Sequence, residues 1–131
     1  MDRQILLDTH VLLWRVLKPK RLSRPASRAI QSAQRIYLAD ITLREVAALA
    51  RAKRIELDRD VGDWLGQAIE ELAIEVVGIS PSIAARSTRV AQNFHGDPAD
   101  QLIAATAIEL DVPLITADEN LRACAAVRTI W

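Results

Sequence analysis

The sequence predicts an α/β sandwich with a central, mostly parallel sheet of four to five strands. Three observations carry that expectation: short apolar runs recur along the chain, helical patterning follows each of them, and capping residues mark the joints. Parallel neighbours need crossover connections, so this alternation argues against a sheet built from hairpins.

Gln4 to Leu7 reads as a strand, because a continuous Ile-Leu-Leu run suits a strand covered on both faces. A helix follows from about Val11. Ser23-Arg24-Pro25 is an N-cap with proline early in the first turn of a helix reaching about Ala33. Ile36-Tyr37-Leu38 is the second strand. Thr42-Leu43-Arg44-Glu45 has the spacing of a capping box and opens an alanine-rich helix to about Lys53. Another helix spans Val61 to Leu72. Glu75-Val76-Val77 is the third strand, followed by a helix from Ser80-Pro81 to about Phe94, where His95-Gly96 stops it. Asp97-Pro98-Ala99-Asp100 caps a helix to Leu110, and Val112 to Thr116 is the fourth strand, with its proline near the start. Val127 to Ile130 is a candidate fifth strand at the sheet edge.

The 131 residues fit one domain over 1–131, and a composition half hydrophobic and 26% charged can bury a core. The single cysteine, Cys124, forms no internal disulfide, and with no apolar leader in Met1 to Asp8 and no membrane-length apolar run the expected setting is cytoplasmic. Neither G-x-G-x-x-G nor G-x-x-x-x-G-K-[ST] occurs, which argues against the nucleotide-binding folds built on those loops. Formal net charge is zero, so the chain is not a polybasic nucleic-acid binder. Its distribution is uneven: Arg15, Lys18, Lys20, Arg21, Arg24, Arg28 and Arg35 lie between Thr9 and Ala39 with no acid among them. That block fits a phosphate backbone, an acidic partner or a solvated helix face.

In right-handed βαβ folds the carboxyl ends of the parallel strands share one edge, where ligands bind. Asp8 terminates the first strand and Asp118 follows the fourth, while Glu45, Asp97 and Asp100 sit at the starts of helices that begin at the same edge. Each also fits a local role: Asp8 and Asp97 as caps, Asp118 as an Asx-turn or cap residue, Glu45 as the reciprocal member of the capping box, Asp100 as a favourable first-turn acid. Clustered carboxylates repel, so such a group persists if solvated, protonated or holding a cation. An oxygen-only set selects Mg²⁺ or Mn²⁺, and the predicted chemistry is metal-assisted phosphodiester hydrolysis.

The segments Leu6 to Trp14 (Leu-Leu-Asp-Thr-His-Val-Leu-Leu-Trp), Thr42 to Ala47, His95 to Ala107 and Leu114 to Glu119 together resemble PIN-domain proteins of the VapC toxin type, in order and spacing over essentially the whole chain. The resemblance implies a PIN-like α/β/α sandwich and a Mg²⁺-dependent endoribonuclease, restrained by a cognate VapB-type antitoxin and forming a homodimer. It assigns Asp8, Glu45, Asp100 and Asp118 to the catalytic quartet. Asp8, Asp100 and Asp118 become metal ligands, and Glu45 orients or deprotonates the attacking water. Thr9, Thr116 and Asp97 become supporting groups behind those ligands. Three positions depart from the family pattern: Arg44 where an aromatic is common, Gln101 where arginine is usual, and Ala99 in place of phenylalanine. Gln101 removes a phosphate-binding candidate; Arg44 fits a replacement charge near the mouth or a surface residue. Arg15, Lys18, Lys20, Arg21 and Arg44 are the candidate contacts for RNA or a partner.

Two other readings compete. A phosphate-accepting receiver would need a lysine from a late strand end, whereas the lysines lie at 18, 20 and 53. A non-catalytic RNA- or partner-binding module would use the acids only as caps. His10 and His95 are not spaced as ligands within one element and read as packing or loop hydrogen-bonding residues. Trp14, Trp64 and Trp131 are too few for a base-stacking stripe, and Trp14 on an apolar helix face reads as core.

Overall fold

The structure is a computed structural model and describes residues 4–92 and 94–131. Strand β1 (Gln4–Leu7) leads into α1 (Thr9–Leu17), a 3-10 turn over Pro19–Arg21 and α2 (Arg24–Ser32) before β2 (Arg35–Ala39). Helices α3 (Asp40–Arg51) and α4 (Val61–Glu71) connect to β3 (Ile74–Val77). Helices α5 (Pro81–Val90) and α6 (Pro98–Leu110) carry the chain back across to β4 (Leu114–Ile115), and α7 (Glu119–Ala123) precedes β5 (Thr129–Ile130).

All paired strands run parallel, in the order β3-β2-β1-β4-β5. Successive side chains of β1 divide between two cores, as strand pleating requires. Leu6 packs with Tyr37, Leu114, Ile103 and Leu121 on the face covered by α5, α6 and α7. Ile5 and Leu7 pack with Val11, Leu12, Ile30, Leu38 and Ile115 on the face covered by α1 and α2. A smaller cluster of Leu13, Val46, Trp64, Leu65 and Ala68 joins α1, α3 and α4. β1 is central, with connections leaving on one side to β2 and returning on the other to β4. The strand order reverses between β1 and β4, and the carboxyl ends of those strands are where sheets of this topology form their ligand crevice.

Helix α1 begins at Thr9 rather than near Val11, and β4 and β5 are shorter than expected; three further differences bear on the site. α3 begins at Asp40, two residues earlier than the Thr42 cap predicted, and Ala39 at its N-cap makes no side-chain cap bond. The capping box therefore does not form: Thr42 is inside the helix and fully buried. α5 ends at Val90 rather than near Phe94, whose buried ring packs with Ile103 and Ala104 of α6. Third, the short helix α7, capped by Asp118, was not anticipated.

Candidate active site

Asp8 is the residue on which the crevice is built. Its backbone N–H donates to Ile115 O at 3.0 Å, which ties the end of β1 to the end of β4. The residue is only 3% exposed, with Oδ1 accepting from Thr9 N–H at 2.8 Å and Oδ2 accepting from the Thr116 hydroxyl at 2.6 Å. Burial raises the Asp8 carboxyl above the ordinary aspartate range, against the lowering influence of His10 and of these hydrogen bonds.

Thr116 has one hydroxyl proton and gives it to Asp8. A lone pair on the same oxygen accepts the backbone N–H of Asp118 at 3.0 Å, so one buried side chain sets the positions of two acids. Asp118 also caps α7, its Oδ2 accepting from Leu121 N–H at 2.9 Å.

Thr9 does the equivalent for Glu45. Its hydroxyl donates to Glu45 Oε1 at 2.5 Å and lies 3.0 Å from Thr42 Oγ1. Since Thr9 has committed its proton to the carboxylate, Thr42 is the donor in the second contact. Glu45 stands in the second turn of α3, and this bridge from the start of α1 holds it at the crevice. Burial raises its carboxyl, and Asp97 and Asp8 add to the rise.

Asp100 is in the first turn of α6, which Asp97 caps by accepting Asp100 N–H at 2.8 Å. The loop before it is tightly packed. A Cβ on Gly96 would lie 2.3 Å from Phe94 Cε1 and 2.9 Å from Asp100 Cβ, so only glycine lets these groups approach. Gln101 Nε2 donates to Gly96 O at 3.0 Å, which turns this departure from the family pattern into a support for the loop. Asp100 is pushed up to about 7, by burial first and then by the negative charges of Asp97, Asp8, Asp118 and Glu45.

Four of the five predicted acids, Asp8, Glu45, Asp97 and Asp118, thus add their charge to the raising of the fifth carboxyl group, that of Asp100. Three of them also serve as the helix caps that the local reading proposed: Asp8, Asp97 and Asp118. Among the described residues, no three His, Cys, Asp or Glu side chains form a ready-made cage for a metal ion. The donor set nonetheless fits a hard divalent cation. Mg²⁺ is commonly held by one or two carboxylates with waters completing its octahedron, and a cation would relieve the mutual repulsion felt at Asp100.

The remaining predicted residues lie outside this hydrogen-bonded network. Arg15 is half-buried, Lys18, Lys20 and Arg21 are exposed along the end of α1 and the 3-10 turn, and Arg44 is exposed on α3. His10 makes the kind of hydrogen bond expected of it. Its Nε2 accepts Ala117 N–H at 3.1 Å, and its Nδ1 lies 3.5 Å from Asp8 Oδ2, a proximity to the acidic centre that sequence spacing does not reveal. Trp14 is a correction: it is half-buried rather than core, whereas Trp64 is buried.

An α/β/α sandwich with carboxylates gathered at the strand-order reversal defines the class of protein. Residues 5–127 match the family model described as the PIN domain, and the chain belongs to the PIN-domain family. It is 44% identical over 129 residues to Ribonuclease VapC22 of Mycobacterium tuberculosis, covering 97% of this chain and 98% of that protein. Two solved structures share the fold. A toxin-antitoxin complex from Klebsiella pneumoniae superposes with a TM-score of 0.68 at 23% identity over 94% of both chains. VapBC2 from Rickettsia felis, bound to a DNA fragment from its promoter, gives 0.71 at 14% identity over 96% of both.

Proposed function

We propose that this chain is the ribonuclease toxin of a type II toxin-antitoxin pair, an endonuclease that hydrolyses RNA phosphodiester bonds with the help of Mg²⁺ or, as a substitute, Mn²⁺. The observation that carries the reading is the junction at the carboxyl ends of β1 and β4, where Thr116 bonds both Asp8 and Asp118 and Thr9, next to Asp8, holds Glu45; the raised carboxyl of Asp100 supports it. The name of the 44%-identical relative, a ribonuclease, supports the reaction class.

Asp8, Asp100 and Asp118 would hold the cation. The chemistry such an ion supplies when bound is activation of water and neutralisation of charge developing on the phosphodiester. The chain's own groups do the rest. Thr116 donates to Asp8 Oδ2 and accepts Asp118 N–H, so it orients two of the proposed ligands together. Thr9 occupies Oε1 of Glu45, which leaves Oε2 to take a proton from the attacking water. Burial lifts the proton affinity of Glu45 and so suits it to that role. In-line attack by water leaves a 5′-phosphate and a 3′-hydroxyl.

A VapB-type antitoxin is the proposed partner, supported by the toxin-antitoxin complexes among the structural relatives. The proposed working unit is a cytoplasmic homodimer of one domain over 1–131, with Arg15, Lys18, Lys20, Arg21 and Arg44 offered to RNA or antitoxin. No helix among the described residues is long and apolar enough to cross a membrane. The test is cleavage of a structured RNA pool with and without Mg²⁺ or Mn²⁺, alongside Asp8→Asn and Asp100→Asn prepared identically. Metal-dependent cutting lost in both variants is expected; cutting equal in all three proteins would sink the assignment. Binding without cutting, unchanged by either substitution, would favour the acids serving only as caps in a binding module.

A further inference from the structure

A second group of side chains begins at the acidic centre and runs outward along α1. His10 and Trp14 are four residues apart on one face of that helix, with ring centroids 4.8 Å apart. Trp131 also packs against Trp14, with 5.7 Å between centroids and the rings tilted by 55°. The β4–β5 pairing explains how it arrives there. Ile130 lies opposite Ile115 and accepts Thr116 N–H at 3.2 Å, so Trp131 follows at the same carboxyl edge as Asp8 and Asp118. The Arg21 guanidinium lies over the Trp14 ring, 4.3 Å from its centroid.

Core packing accounts for only part of this arrangement: Trp131 rests partly against the core on the face covered by α1 and α2, yet it is not enclosed there. Trp14, Trp131 and His10 are half-buried and Arg21 is exposed, while Trp64 occupies the interior. Arg21 makes no ion pair among the described residues, so its charge is offered outward rather than neutralised within the fold. A partly exposed indole and a guanidinium held over its neighbour, beside a negatively charged centre, are what a single-stranded nucleotide needs in order to approach that centre. The base finds a stacking surface, and the phosphate finds a fork of N–H donors.

We infer that Trp131, braced by Trp14, is a nucleobase platform that seats a nucleotide neighbouring the scissile bond, with Arg21 engaging its phosphate. The inference rests on the ribonuclease reading and adds to it how single-stranded RNA is held. Trp14 cannot be the platform itself, because Arg21, His10 and Trp131 surround its ring.

The experiment measures binding of a fluorescein-labelled single-stranded RNA in EDTA, so that cleavage does not intervene, with abasic nucleotides placed in turn along the oligomer. Trp131→Ala should weaken binding about tenfold and Trp131→Phe much less, in keeping with the stacking contribution of one base. One abasic position should cost the wild type a similar factor and cost Trp131→Ala nothing, a coupling that a merely structural tryptophan would not produce. Arg21→Ala should lower the slope of log affinity against log salt by about one phosphate contact. Quenching of tryptophan emission by RNA provides an independent readout in proteins of intact fold, and Trp131→Phe should lose most of it. Equal abasic profiles in wild type and Trp131→Ala would overturn the platform while leaving an active ribonuclease in place. A wild-type protein that neither binds nor cuts RNA would overturn both readings.

Discussion

Thr116 and Asp8 lie 108 residues apart in sequence and meet in one buried hydrogen bond of 2.6 Å, the hydroxyl donating to Oδ2. The bond crosses the crevice where the strand order reverses, and the same hydroxyl oxygen accepts Asp118 N–H. Removing it should cost both stability and chemistry. Thr116→Val keeps the shape but leaves Asp8 Oδ2 short of its closest donor, so we expect about 1–3 kcal/mol of lost stability near neutral pH. Cleavage should fall with it. Thr116→Ser should restore most of both, as read by thermal unfolding and RNA cleavage.

Asp8→Asn separates folding from function. The asparagine carbonyl oxygen can still accept Thr9 N–H, so the start of α1 keeps its cap, and one charge leaves a buried cluster. The metal-free variant should be at least as stable as the parent, yet show little cleavage and a reduced rise in Tm on adding Mn²⁺. An undiminished rise would remove Asp8 from the proposed ligand set, since a ligand stabilises only in proportion to its binding of the folded state.

Asp100 sets a pH dependence whose sign follows from its shift. Its folded value of about 7 lies above the ordinary 3.8, so between those values the folded protein holds more protons than the unfolded chain. The contribution of Asp100 to the stability of the metal-free protein is therefore fully present below about 4 and is lost as pH rises toward and through 7. Asp100→Asn should flatten that part of the profile in denaturant titrations at several pH values. Metal-dependent cleavage should run the opposite way, rising with pH as the ligand deprotonates.

Gly96→Ala tests the loop that carries Asp100. The added methyl would overlap the ring of Phe94, which is buried and has nowhere to swing, and would press on Asp100 Cβ. Overpacking of this kind costs about 1–3 kcal/mol. We expect a drop in Tm together with a loss of cleavage, because the displaced group is itself a proposed ligand. Wild-type stability and cleavage in this variant would show that the loop yields without moving Asp100.

Thr42→Val probes the contact behind Glu45. The valine leaves the Thr9 hydroxyl without the donor it has in Thr42, while its bond to Glu45 survives. A loss of about 1 kcal/mol is expected, with cleavage reduced less than in Thr116→Val. A larger effect on cleavage than on Tm would show that Thr42 steers Glu45 through Thr9.

The sequence by itself determined the features that depend on near neighbours along the chain. Asp97-Pro98 starts a helix through its own side chain and ring, and Ser23-Arg24-Pro25 does the same for α2. The Ile-Leu-Leu run needs no partner to be read as a strand buried on both faces, and strand-helix alternation then brings the acids to one edge. Tertiary structure decided which competing bond each polar side chain makes. Thr42 has capping-box spacing, but the helix begins at Asp40 and its hydroxyl meets Thr9 instead, 33 residues away. Trp14 has the periodicity of a core residue, yet pairing of β5 beside β4 sets Trp131 against it and leaves both partly in solvent. His10 comes to rest near Asp8 Oδ2 because Ala117, beyond β4, donates to its other nitrogen. Local propensity records what a residue prefers among its neighbours; the hydrogen bonds that join the separate segments of this centre, Thr9 to Thr42 and Glu45 and Thr116 to Asp8, link residues more than 30 positions apart, and only the closed sheet brings them within reach.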